Sequence, residues 1–136
     1  MAHFRYIRNM TDTFKLAVNG TLMRGLVLNE NLLSVGATFE REATTEPAYR
    51  LWSIDDVYPA MIRVKEGGTA VAVEVWHVPL AGLGVILSRE PPGLAIGKVR
   101  LSDGEEVLGV IGEPITVEDK REITAFGGWR AYCRDK

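Results

Sequence analysis

The chain has 136 residues, of which 46% are hydrophobic and 25% charged, the size and balance of one soluble globular domain. A formal net charge of -2 provides no global basic field for nucleic acid or an anionic membrane, and no window approaches the ~18 consecutive apolar residues of a membrane span. The single cysteine, Cys133, excludes an internal disulfide, and with two histidines, His3 and His77, there is no paired spacing for a zinc site.

The first segment, residues 1–12, mixes charged and apolar residues and reads as an arm preceding one domain over 13–136. It has no signal-peptide pattern, so a cytoplasmic protein is expected. The apolar positions at 4–7 permit a homodimer. Phe14 to Val18 reads as a buried strand followed by a turn at Asn19-Gly20, where glycine admits a positive φ. Leu26 to Val35 has apolar residues at 28, 32, 33 and 35, which suggests a helix with Asn29 as N-cap and Gly36 as stop. Strands follow at Ala37–Ala43, Tyr49–Ile54 and Ala60–Val64, and the valine-rich Thr69–Val78 is the longest. Leu80–Arg89 reads as a short helix despite Gly82 and Gly84, with Leu80, Leu83, Val85, Ile86 and Leu87 on its buried side. Leu94–Leu101 and Val107–Ile111 form a hairpin around Ser102-Asp103-Gly104, and a last helix covers Phe126–Tyr132. Six or seven strands and two or three short helices make an α+β, strand-dominated domain with a curled or closed sheet.

The motif inventory is restrictive. There is no Gly-x-Ser-x-Gly elbow and no phosphate-binding loop, and the 14 glycines are scattered. No metal or organic cofactor is expected. Glu90 precedes Pro91-Pro92, and proline restricts the preceding residue to extended backbone. A carboxyl held there in an apolar cavity would have a raised pKa and suit acid/base work; the alternative is a surface turn beside Arg89. The Asn19–Leu22 loop can offer consecutive N–H groups to an anion, with the Thr21 hydroxyl beside them, or be an ordinary strand-to-helix turn. Glu74 lies on a strand face with Ala72, Trp76 and Val78, where a carboxylate needs a ligand or an ion pair, with Arg50 or Arg63 the candidate partners. Tyr49 fits either a cavity or the core, and Arg50 either a carboxylate clamp or a solvent-facing position. His77, on the opposite strand face, reads as a hydrogen-bonded structural residue.

Five segments resemble the C-terminal domain of allophanate hydrolases in order and spacing. Val18 to Asn29 is similar to the family's Val-Gly-Ala-His-Leu-x-Gly-x-Pro-Leu-Asn, with one extra residue. Thr44 to Trp52 resembles Thr-x-x-x-Tyr-Arg-Leu-Tyr, Glu74-Val75-Trp76 matches Glu-Val-Trp, and Leu94 to Val99 resembles Leu-Gly-Ile-Gly-x-Val. The run Ile123-Thr124-Ala125-Phe126-Gly127-Gly128-Trp129-Arg130-Ala131-Tyr132 agrees almost residue for residue, and the likeness covers roughly residues 14 to 133. The family is similar in turn to the γ-glutamyl cyclotransferases, which implies a small mixed barrel. Asn19-Gly20-Thr21-Leu22 looks like the superfamily's substrate loop, and Glu90 falls at its catalytic glutamate.

The resemblance implies a stand-alone homologue that acts on or binds a small carboxylated amide or carbamate. Glu90 would be the acid/base, and Asn19, Gly20, Thr21 and Leu22 would hold a carboxylate or oxyanion. Glu74, Tyr49 and Arg50 would add ligand contacts. Two alternatives stand beside this: γ-glutamyl cyclotransferase-type release of pyroglutamate, and a non-catalytic binding or scaffolding partner of a separately encoded amidase. The family's loop histidine has its place at Thr21 here, which weighs against unchanged decarboxylation chemistry. The closing run reads as packing, with Trp129 a plug over one end of the barrel.

Overall fold

The computed structural model describes residues 12–136; the arm expected over 1–12, and the dimer contact placed on it, lie outside the described residues except for Asp12. Strand β1, Thr13–Val18, is the middle of a five-stranded mixed sheet. Leu16, Ala17 and Val18 on it are at most 1% exposed. It pairs antiparallel with β5, Ala72–Pro79, and parallel with β7, Glu106–Gly112. Strand β2, Thr38–Thr44, flanks β5, and β6, Leu94–Arg100, closes the other edge as a hairpin with β7. A second, antiparallel sheet contains β3, Tyr49–Ile54, between β4, Tyr58–Arg63, and the two-residue β8, Arg121–Glu122.

Seven strands of six to eight residues match the expected number, while β8 is a short addition. The sheets stay open. Strands β4 and β7 lie side by side, so that a Cβ on Gly112 would sit 2.9 Å from the Ala60 Cβ, yet no ladder joins them. The strand expected from Thr69 begins only at Ala72 because its first residues serve the other sheet. Thr69 exchanges backbone hydrogen bonds with Tyr49 at 2.8 and 3.3 Å, and Ala72 donates to the Gly127 carbonyl.

Helix α1 is only Asn29–Leu33, shorter than expected, and Leu28 holds the N-cap position. Asn29 instead donates from its side chain to the Leu22 carbonyl at 2.8 Å, while Gly36, at φ 80°, ends the segment as expected. Helix α2 spans Leu80–Arg89, and Gly82 and Ile86 are its buried residues. Val85 and Leu87 are exposed, contrary to the expected apolar side, because the contact with the sheet is narrow. It runs through Gly82, where a Cβ would come 3.3 Å from Val78 on β5 and 2.9 Å from Val35 after α1. Helix α3, Trp129–Asp135, starts later than expected because Gly127 adopts φ 76° and separates it from a 3-10 turn at Thr124–Phe126. Trp129 and Tyr132 are buried in the core.

Candidate functional site

Where β1 ends, the chain turns through Asn19, Gly20, Thr21 and Leu22. Asn19 is 4% exposed and donates from Nδ2 to the Val110 carbonyl on β7 at 2.9 Å, fixing the loop to the sheet. None of these four residues has a positive φ, so the loop is not an alternating nest and Gly20 is not there for a left-handed turn. A Cβ on Gly20 would lie 2.4 Å from Pro59 Cδ; glycine lets the loop close onto the start of β4. The carbonyls of Gly20, Thr21 and Leu22 accept from Met23 N–H, Leu28 N–H and the Asn29 side chain. The N–H groups of the same three residues find no acceptor among the described residues.

Helix α2 delivers Glu90 to this loop. Its backbone, at φ -76° and ψ 150°, is the extended conformation that Pro91 requires. Glu90, the loop and the Val57-Tyr58-Pro59 turn line one cavity of about 400 Å³. The Glu90 carboxylate has no hydrogen bond or ion pair to any described residue, and burial pushes its pKa above the ordinary carboxylate value. Arg89 turns away, with Asn31 Oδ1 at 3.4 Å. Among the described residues, no lysine, arginine or histidine lines the cavity. Tyr58 is the other ionisable group on its wall; burial first, then the negative charges of Asp55 and Glu90, raise its pKa against the opposing pull of Lys120. Tyr58, Pro59, Leu28 and Leu94 carried no sequence motif that marked them as site residues.

Three other expected site residues lie elsewhere. Tyr49 is 1% exposed in the core. Arg50 pairs with Glu122, its Nε 2.7 Å from Oε2, and stands over Trp52. Glu74, 2% exposed, is surrounded by donors: Arg24 N–H at 2.9 Å, Arg24 Nε at 3.2 Å, Trp76 Nε1 at 3.2 Å and Arg130 at 3.1 Å. Burial alone would raise its pKa, but these four donors hold it below the usual carboxylate range. The expected partners Arg50 and Arg63 go instead to Glu122 and Glu46, because the loop after Leu22 brings Arg24 across the sheet and α3 brings Arg130. His77 is hydrogen-bonded to Glu40 at 2.7 Å.

Glu74 and the closing run border a larger hollow of about 710 Å³. Its buried carboxylate already accepts from four donors, and Arg24 is further engaged by Glu42, whereas the Glu90 carboxylate in the smaller cavity has no partner among the described residues. Among the described residues no cluster of His, Cys, Asp or Glu is arranged to hold a metal, and no helix is long and apolar enough to cross a membrane.

Residues 14–134 match the model of the allophanate hydrolase C-terminal domain. The urea amidolyase of Saccharomyces cerevisiae is 35% identical over 129 residues, which is 90% of this chain and 7% of the yeast protein; the chain therefore spans a small fraction of its curated relatives. A solved protein described as specific to uropathogenic E. coli is 57% identical, with a TM-score of 0.88 over 90% of this chain and 96% of that one. An AIG2-like protein from Mus musculus is similar in fold alone, at 22% identity and a TM-score of 0.60 over 76% of this chain and 78% of its own. The α+β fold is thus γ-glutamyl cyclotransferase-like, and this chain belongs to the allophanate hydrolase C-terminal domain family.

Proposed function

We propose that the cavity between the 19–22 loop and Glu90 takes a small carboxylated amide or carbamate, and that Glu90 is its acid/base. One observation carries this reading: an unpaired carboxyl of raised pKa shares a cavity with a loop whose N–H groups have no acceptor among the described residues. A ligand carboxylate or carbonyl oxygen would accept from Gly20, Thr21 and Leu22, while Glu90 exchanges a proton with the amide nitrogen. If the substrate loses CO2 from an N-carboxyl group, the C–N bond breaks, its electron pair stays on nitrogen, and protonated Glu90 supplies the proton. Raising a carboxyl pKa towards neutrality suits that role. The names of the relatives, which refer to urea and allophanate, support the amide and carbamate class.

Glu90→Gln, assayed on γ-glutamyl substrates and on N-carboxycarbamate generated in situ, is expected to lower turnover by about 10²- to 10⁴-fold. Unchanged turnover would remove Glu90 from the chemistry. The second reading is a binding partner of a separately encoded amidase. It is favoured by Thr21 at the place of the family's loop histidine, and no turnover by the parent protein on either substrate class would select it.

A further inference from the structure

The walls of the Glu90 cavity say more about its ligand than the family does. Beyond the loop they are formed by Val27, Leu28, Val57, Pro59, Pro91 and Leu94. Val27 and Val57 are 80% and 65% exposed, so the apolar lining continues out to the rim. The cavity's charge is one-sided. Glu90 lines it, and among the described residues no cationic side chain does. A bare N-carboxycarbamate is a dianion of about seven heavy atoms. At roughly 30 Å³ per water-sized atom, it would leave about half of the 400 Å³ unfilled. Its second carboxylate would also face Glu90 and apolar side chains without a counter-ion, a costly placement for a charge.

Resting on the proposed reading of the site, we infer that the ligand is a singly charged carboxylated amide with an aliphatic substituent, its carboxylate on the 19–22 loop and its alkyl group against Leu28, Val57 and Leu94. The substituent makes use of the apolar wall. The single negative charge is the one that the loop N–H groups can take.

The test is calorimetric titration of the full chain with N-carbamoyl glycine, alanine, norvaline and norleucine, and with the near-isosteric pair N-carbamoyl leucine and N-carbamoyl aspartate. Affinity is expected to rise about fourfold for each buried methylene until the cavity is full, with the leucine compound at least about tenfold tighter than the aspartate compound. Val57→Ser, at an exposed position and checked by thermal melting, and Leu94→Asn should each flatten the dependence on chain length. Equal binding along the series would overturn the inference and leave the proposed site standing. So would aspartate binding as tightly as leucine, or a length dependence unchanged in both variants. Failure of every compound to bind would overturn both the inference and the site.

Discussion

Glu90 owes its position to two backbone constraints. Helix α2 ends at Arg89, and Pro91 forces the residue between them into extended geometry, so the carboxyl is held at the cavity wall. Because burial raises its pKa, its ionisation opposes folding. The contribution to stability is fully present below the unfolded value of about 4.3 and is lost as pH rises through the higher folded value. Urea unfolding is therefore expected to show the parent losing stability relative to Glu90→Gln as pH rises above about 4.3, the ordinary glutamate value. Identical pH dependence in the two proteins would mean that the carboxyl is solvated. Glu74 has the opposite sign: its donors depress the pKa, so its contribution is present above the unfolded value and is lost as pH falls through the folded one. Two glutamates in one domain thus differ because donors surround one and none from the described residues reaches the other.

At the scale of elements, the loop after β1 and helix α3 are fastened together through Glu74. Arg24 reaches it from the loop and Arg130 from α3, and Arg130 also donates to the Arg24 carbonyl. The Arg130 in the closing run is therefore a clasp between elements that are far apart in sequence. Replacing both Arg24 and Arg130 by alanine leaves a buried carboxylate with two N–H donors and no counter-ion. Chemical denaturation should register a loss of about 3–5 kcal/mol, the usual effect of orphaning a buried charge. Arg24→Ala alone, with Arg130 still in place, should cost less. A double variant as stable as the parent would show that Glu74 needs neither arginine.

Over the whole molecule, the two open sheets are joined by short polar stitches. Thr45 is 0% exposed; its Oγ1 accepts from Val71 N–H at 3.0 Å and donates to the Glu46 carbonyl at 2.8 Å, where the chain leaves one sheet for the other. Thr45→Val keeps the volume and strands the Val71 N–H, for an expected loss of about 1–3 kcal/mol in equilibrium unfolding. An unchanged midpoint would show that water replaces the hydroxyl. The same connection explains why the valine-rich strand was legible as a strand but not in its start: the 69–71 stretch has strand composition, yet its hydrogen bonds are divided between β3 and the Thr45 side chain.

Much of the domain could be read from local chemistry. Tyr49–Ile54 and Leu80–Arg89 were legible to the residue, because alternation, apolar content and the flanking prolines act within a few positions. The 94–112 hairpin was legible from its turn residues, and the closing run carried the family. The extended backbone of Glu90 followed from Pro91 alone. What only tertiary structure decided are the long-range partners. Pro59 explains Gly20, Val35 explains Gly82, and Arg24 and Arg130 displace the arginines that strand position suggested for Glu74. The apolar wall facing Glu90 came from β4, β6 and the turn before α1, none of which announces a site. The physical reason is that backbone conformation and amphipathic pattern are set by neighbours in sequence, whereas desolvation and charge pairing depend on which distant side chains the completed sheets bring within contact.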